Sequence, residues 1–398
     1  MSRFVRRSLP PARRRGDRRG IALIVVVATV MFLTALVTDI SFGARVRFLA
    51  AAHERDEAKS YWLAQTGVAI YRLVLMGDRQ MQGNQMVSQM LGGVTLWQSI
   101  PFINTGLLRM FAAGGGDVEE DDVEAYAQTG QVSEEVEAES REDTTHFGNR
   151  NFLDFDGDFS AEIKGEECGI NVNAMASRSS TTRPSDTATG KQILGLMTGE
   201  ENDQWLRDRN LDKYDLVDNL GDWIDADTLV ASGKGGYEDD FYNSLPSPYV
   251  AKNARFDTIQ EIRLVEGWQD EVFDRWGSSL TIYGSGKVNI SCADDTVLAG
   301  LIKAHVTPIP TDTEIQRILG ELHNYTSMAT FSSGSEFVTW LTDQGVTPDS
   351  DLASEVTTKT KVFTITSVGT VGDASAKITA VIDYTSSNQG TMVYWRVD

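Results

Sequence analysis

The most marked pattern along the chain is a run without a single charge, IALIVVVATVMFLTALVT at 21–38. As a helix, eighteen residues rise about 27 Å, close to the thickness of a bilayer core. The run therefore predicts a membrane-spanning segment. Helical pattern continues beyond it. Residues 44–75 contain no proline, and Val46, Leu49, His53, Ala64, Val68, Tyr71 and Leu75 fall at helical spacing. One helix over 21–75 is expected, apolar all round in its first half and amphipathic in its second.

Period-two alternation appears near both ends of the remainder. FLDFDGDFSAEI at 152–163 sets Asp154, Asp156 and Asp158 on one side of a strand. KVFTITSV at 361–368, KITAVIDY at 377–384 and TMVYWRV at 391–397 alternate in the same way and are rich in β-branched and aromatic residues. These strands predict an antiparallel sheet against the amphipathic half of the long helix. Between them, 173–350 reads as mainly helical. Two segments echo each other there: GINVNA at 169–174 and KVNISC at 287–292, then FDTIQEI at 256–262 and FSSGSEF at 331–337. In the second pair a glutamate follows phenylalanine by five residues. A duplicated small helical unit, about 169–285 and 286–350, is the simplest source of such echoes.

The fold class expected is thus α+β: a long N-terminal helix packed on an antiparallel sheet, with a large helical domain inserted between strands. Residues 76–150 read as an insertion, since 117–143 carry twelve acids and one base, a self-repelling block. The remaining divisions are 151–172 for the first part of the sheet, 173–350 for the inserted domain and 351–398 for the closing strands.

Charge orients the molecule. The chain carries a formal charge of -21, yet residues 1–20 hold eight arginines and one acid, Asp17. A basic flank places the start of the apolar run on the cytoplasmic side, and the acidic remainder across the membrane. A surface of that sign repels phosphate, which argues against nucleic-acid binding. No catalytic constellation is found. The four histidines are scattered, and Gly284-Ser-Gly-Lys287 lacks the first glycine and the hydroxyl of a phosphate loop, with Thr281 and Val288 in those places. Enzyme activity is not expected.

Arg-Arg-Gly at 18–20 followed by the apolar run resembles the leader of type IV pilins and type II secretion pseudopilins. The resemblance implies cleavage by a prepilin peptidase after Gly20 and methylation of the new N-terminus, Ile21. It makes 1–20 the leader. Most members carry glutamate at the fifth residue after the cut, where this chain has Val25. In the family that carboxylate neutralises the terminal amine of the preceding subunit. A subunit that starts the fibre has no predecessor, so Val25 indicates a minor pseudopilin at the tip. Further along, DWIDAD at 222–227, GYEDDFY at 236–242, PYVAKNARFDTIQEIRLVEG at 248–267 and the ending VYWR at 393–396 are similar to the type II secretion protein K family. That resemblance implies a single-pass inner-membrane protein with its bulk in the periplasm, acting with minor pseudopilins I and J. Contact with the major pseudopilin, secreted substrates or the outer-membrane channel belongs to the same picture.

Calcium is the ligand expected. Asp222, Asp225, Asp227, Glu238, Asp239 and Asp240 supply hard oxygen donors within a glycine-rich stretch. The resemblance implies calcium in the inserted domain at these turns. Aspartates capping helices near Trp223 and Tyr237 are the plainer alternative. Two readings also stand for Cys168 and Cys292. They are two buried thiols, or a disulfide formed because the echoing segments pair antiparallel about Asn171 and Asn289, bringing 168 opposite 292. Two further functions compete: a minor pilin of a type IV pilus, and a nucleic-acid receptor in which 264–268 acts as a helix-hairpin-helix turn. Glu261, Glu266, Asp270 and Glu271 crowd that turn with the wrong charge for the second.

Overall fold

A computed structural model describes residues 19–82, 95–112, 146–147, 150–151, 155–177, 182–231 and 236–398. The leader up to residue 18, Asp154 and the acidic block 117–143 lie outside the described residues. The chain divides into two compact units, Met1–Ala58 and Lys59–Asp398.

The described part of the first unit is all helix, the beginning of α1 (Arg19–Gln82). It is long and apolar enough to cross a membrane, and Ile21, Phe32 and Phe42 are among its exposed side chains. The hydroxyls of Thr29, Thr34 and Thr38 donate to the carbonyls of Val25, Val30 and Thr34 at 2.6–2.8 Å. Their polar groups are thus satisfied within the helix, as an apolar surrounding requires.

In the second unit α1 continues to Gln82. Then come α2 (Leu96–Ser99), β1 (Phe102–Asn104) and α3 (Thr105–Ala112), the short hairpin of β2 (His146–Phe147) and β3 (Arg150–Asn151), and β4 (Asp158–Gly165). The inserted region follows as two copies of one plan. The first runs from β5 (Ile170–Asn171) through α4 (Ala188–Leu196), α5 (Glu200–Asp208), α6 (Lys213–Ile224), α7 (Asp239–Asn243) and α8 (Asp270–Trp276) to β6 (Leu280–Thr281). The second runs from β7 (Val288–Asn289) through α9 (Asp295–His305), α10 (Asp312–Thr326), α11 (Gly334–Asp343) and α12 (Leu352–Glu355) to β8 (Val356–Thr357). Strands β9 (Val362–Val371), β10 (Ala374–Asp383) and β11 (Thr391–Val397) close the chain.

The main sheet is antiparallel in the order β1-β4-β9-β10-β11. Alternation sorts its side chains: along β4 every second residue is buried, which sends Phe159, Ala161 and Ile163 inward. They meet Ala64, Val68, Tyr71 and Leu75 of α1 together with Phe363, Ile365 and Ile378 in one core. Burying side chains of this size stabilises by about 1.5–3 kcal/mol each. The Tyr71 hydroxyl lies 3.3 Å from the Ala161 carbonyl and 3.2 Å from that of Ile100. The long helix, the sheet and the inserted domain are therefore those expected from the sequence pattern.

Three boundaries differ. The stretch 95–112 is not part of an insertion: β1 adds an edge to the sheet, and Trp97, Ile103 and Leu107 are buried in its core. This three-residue strand is too short for periodicity to reveal. Of 151–172, only β4 joins the sheet, because β5 belongs to the first copy. β8 likewise closes the second copy, so the returning strands start at Val362.

The echoes are structural. In each copy a strand-end asparagine turns the chain by accepting from the amide two residues on. Asn171 Oδ1 takes the N–H of Asn173 at 3.0 Å, and Asn289 Oδ1 that of Ser291 at 2.9 Å. In each, the glutamate five residues after phenylalanine caps the turn. Glu261 Oε2 accepts from the Asp257 amide at 2.8 Å, and Glu336 Oε2 from that of Ser332 at 2.7 Å. The expected antiparallel pairing of the echoing strands is not what forms. β5 pairs parallel with β6 and β7 parallel with β8, each copy closing on its own last strand. Each copy has its own core, one around Trp223, Trp268 and Trp276, the other around Ile318, Phe337 and Leu341. The copies join where α4 crosses α9. A Cβ on Gly195 would stand 2.0 Å from the Gly300 carbonyl oxygen, so only glycine permits this approach.

At the root of the insertion Cys168 and Cys292 form a disulfide with Cα atoms 5.2 Å apart. The bond follows from the proximity of the two copies' first strands rather than from their pairing. Beside it Glu167 Oε2 accepts from the amides of Lys361 and Val362 at 3.2 Å. The hydroxyls of Thr281 and Thr364 donate to Glu166.

Candidate metal centre

Helix α6 is capped by Asp212, whose carboxylate accepts from the Tyr214 amide at 2.8 Å. Leu216, Val217, Leu220 and Trp223 bury one face of α6 in the first core. That anchoring fixes Asp222 in the last turn, buried, and Asp225 just beyond the helix. The chain then folds back. Leu229 bridges Tyr237, and the Glu238 amide bonds the Thr228 carbonyl at 3.3 Å. Glu238 is returned over the end of α6.

One carboxylate oxygen from each of Asp222, Asp225 and Glu238 lies within 4.8 Å of the others. Glu238 is only 6% exposed, and neither of its carboxylate oxygens has a hydrogen-bond partner among the described residues. Burial raises its pKa to about 8, and the charges of Asp225 and Asp222 push in the same direction. A buried carboxylate without a donor, facing two more carboxylates, is unfavourable unless a cation compensates it. The donor set is all hard oxygen, which suits calcium. Asp222, Asp225 and Glu238 would hold the ion.

The other three expected ligands are placed differently. Asp227 Oδ1 accepts from the Leu229 amide at 2.9 Å, Asp239 Oδ1 from Ala251 at 2.8 Å and Asp240 Oδ2 from Tyr237 at 3.1 Å. They shape the loop around the three converging groups. Asp222 and Asp225 share this work, accepting from the amides of Ala231 and Asp227. The aspartates thus bond amides of the loop rather than cap α7, whose N-cap Glu238 makes no side-chain capping bond, while Asp222, Asp225 and Glu238 converge as a candidate cation site.

Asn253 escaped the sequence reading. Its Nδ2 donates to the Asp227 carbonyl at 2.9 Å, its backbone is left-handed with φ 49°, and its Oδ1 is buried without a partner among the described residues. The only signal was its place in the KN pair at 252–253. Trp223, Tyr242 and Tyr249 floor the loop, with the Trp223 and Tyr242 rings 5.3 Å apart in an edge contact.

Of the remaining site residues, Gly20 and Ile21 lie in the first turn of α1, and Val25 is exposed. The 264–268 turn links a 3-10 helix, Ile259–Leu264, to α8. Trp268 at this turn is buried and donates to the Leu216 carbonyl at 2.7 Å.

Residues 168–285, the first copy with its acidic loop, match the family described as type II secretion system (T2SS), protein K. Type II secretion system protein K of Pectobacterium carotovorum subsp. carotovorum is 29% identical over 123 residues, 30% of this chain and 34% of that protein. The protein of the same name from Aeromonas hydrophila is 27% identical over 183 residues, 45% of this chain and 52% of that protein. The matched region thus spans about a third to half of these relatives. Among solved structures, a chain of the GspK-GspI-GspJ complex from the type 2 secretion system of enterotoxigenic Escherichia coli aligns with a TM-score of 0.47. It is 17% identical, covering 61% of this chain and 80% of that one. The similarity to the type II secretion system protein K family thus rests on residues 168–285, the first of the two copies.

Proposed function

We propose that this protein is a minor pseudopilin that founds the type II secretion pseudopilus and stays at its tip, serving protein export across the outer membrane. One observation carries the reading: a single chain joins an exposed apolar helix, a sheet on which the same helix packs, and a protein K domain. In this reading prepilin peptidase cuts after Gly20, and Ile21 becomes the methylated terminus. The apolar run holds the subunit in the inner membrane, with the rest of the chain in the periplasm. Val25 puts no carboxylate at bilayer depth. Such a group costs about 3 kcal/mol and is retained only where a preceding subunit's amine needs it.

Minor pseudopilins I and J are the partners assigned, with the major pseudopilin added beneath them. The helices would associate along their amphipathic parts while the apolar parts remain in lipid. An inserted domain as large as 166–361 would obstruct regular stacking within a shaft, which favours the distal end. There it meets secreted substrates or the outer-membrane channel. Calcium bound by Asp222, Asp225 and Glu238 would neutralise the three carboxylates and pin the loop to α6.

Co-expression of the full chain with prepilin peptidase and minor pseudopilins I and J, then purification in detergent, tests the proposal. A stoichiometric complex whose subunit begins at Ile21 is expected. Failure to assemble with I and J, or a product retaining its first twenty residues, would refute it.

A further inference from the structure

His305 ends α9, and its ring is almost fully buried, the residue being 2% exposed. Both ring nitrogens face carboxylates: Nδ1 stands 2.9 Å from Asp349 Oδ1, and Nε2 3.0 Å from Glu355 Oε2. A neutral imidazole has one donor and one acceptor, and an ionised carboxylate only accepts. With a neutral ring, one of these contacts would set two lone pairs against each other. The cluster as built therefore holds one proton more than a neutral imidazole and two carboxylates supply.

The three groups come from separate parts of the second copy. Asp349 lies in the loop leading to α12, where its Oδ1 also accepts from the amides of Asp351 and Leu352. Its own amide donates to the His305 carbonyl at 2.8 Å. Glu355 ends α12 and directly precedes the closing strand β8. The same Glu355 Oε2 accepts from Gln192 Nε2 of α4 at 2.8 Å, and so reaches the first copy. Gln192 is fully buried and uncharged. Asp349 and Glu355 are the charged groups facing the ring. Lys303, two residues earlier, is occupied by Asp312 and the Thr198 carbonyl.

We propose that His305 is a proton-operated clasp: doubly protonated, it fastens α9, the 349 loop and α12 to one another and to α4 of the first copy. Loss of the proton to solvent frees the closing strand of the second copy and loosens the seam between copies. Burial alone would lower the His305 pKa, but the bonds to Glu355 and Asp349 outweigh it and hold the pKa above the ordinary 6.5. The same pairing holds both carboxyls below their ordinary values despite their burial. The histidine contribution is thus fully present below 6.5 and is lost as pH rises through the folded-state value. In the cell envelope, the clasp would make the inserted domain firmer in acid than in alkali.

Hydrogen–deuterium exchange of the full chain in detergent micelles tests this at about pH 6 and about pH 9, with exchange times scaled for the intrinsic rate. Peptides covering 295–305 and 346–357 should lose about tenfold in protection at the higher pH relative to β10, which serves as internal reference. His305→Gln should show no such pH-dependent loss, and Glu355→Gln a diminished one. Seam peptides that track β10 at both pH values in the wild type would overturn the clasp. So would an undiminished loss in either variant that folds.

Discussion

Helix α1 touches the sheet at Gly369, where a Cβ would stand 2.1 Å from the Ser60 carbonyl oxygen. Backbone meets backbone there, and neither side can yield by changing a rotamer. Gly369→Val should lift the helix from the sheet and destabilise the second unit by about 3 kcal/mol, the upper end of overpacking costs. Urea denaturation of the full chain in detergent measures this, and an unchanged midpoint would mean that the helix has another seat.

The Cys168–Cys292 bond closes a loop with a sequence separation of 124. On the chain-entropy account, a loop of this size stabilises by about 5 kcal/mol. The double variant Cys168→Ala, Cys292→Ala should lose that amount, and reductant should reproduce the loss in the wild type only. Equal sensitivity of both proteins to reductant would show that the thiols do not matter.

Calcium removal should be felt at one carboxylate above all. At a concentration one hundred times its dissociation constant, an ion bound only by the folded state adds about 2.7 kcal/mol. Chelation should therefore lower the melting temperature of the wild type and leave that of Glu238→Gln unmoved. A chelator-insensitive wild type would leave the three carboxylates without an ion to hold.

Glu167 provides a pH signature at the root of the insertion. Burial raises its pKa above the ordinary 4.5, against the opposing bonds from the Val362 and Lys361 amides. Its favourable contribution is present below 4.5 and fades as pH rises through the folded-state value. Glu167→Gln keeps an oxygen for both amides and cannot ionise. The stability of this variant relative to the wild type should grow with pH across that window in urea titrations. A difference flat with pH would show that the carboxylate is neutralised by other means.

Much of this architecture could be read from spacing. The long helix, β4 and the three closing strands follow directly from periods of 3.6 and 2, because each buries one face. The duplication was visible because capping chemistry is local: Asn171 and Asn289, or Glu261 and Glu336, act within a few residues of themselves. Strand β1 was hidden because three residues carry no period. The partner of β5 was hidden because it lies 110 residues away at Leu280, a distance over which pattern is silent. At the candidate metal site the acidic residue types pointed to hard-cation chemistry. Yet nothing in their order separated the orphaned Glu238 from its neighbours Asp239 and Asp240, which bond backbone amides. That distinction depends on which way the loop turns after Asp225.

Strands β4 and β9 are neighbours, and Gly165, where the chain leaves the sheet, lies opposite Phe363, where it comes back. Everything from 166 to 361 is in effect an elaborated hairpin turn. A short linker could replace it without moving a rung of the ladder. The helix-and-sheet frame and the inserted region it carries can therefore change size and surface independently.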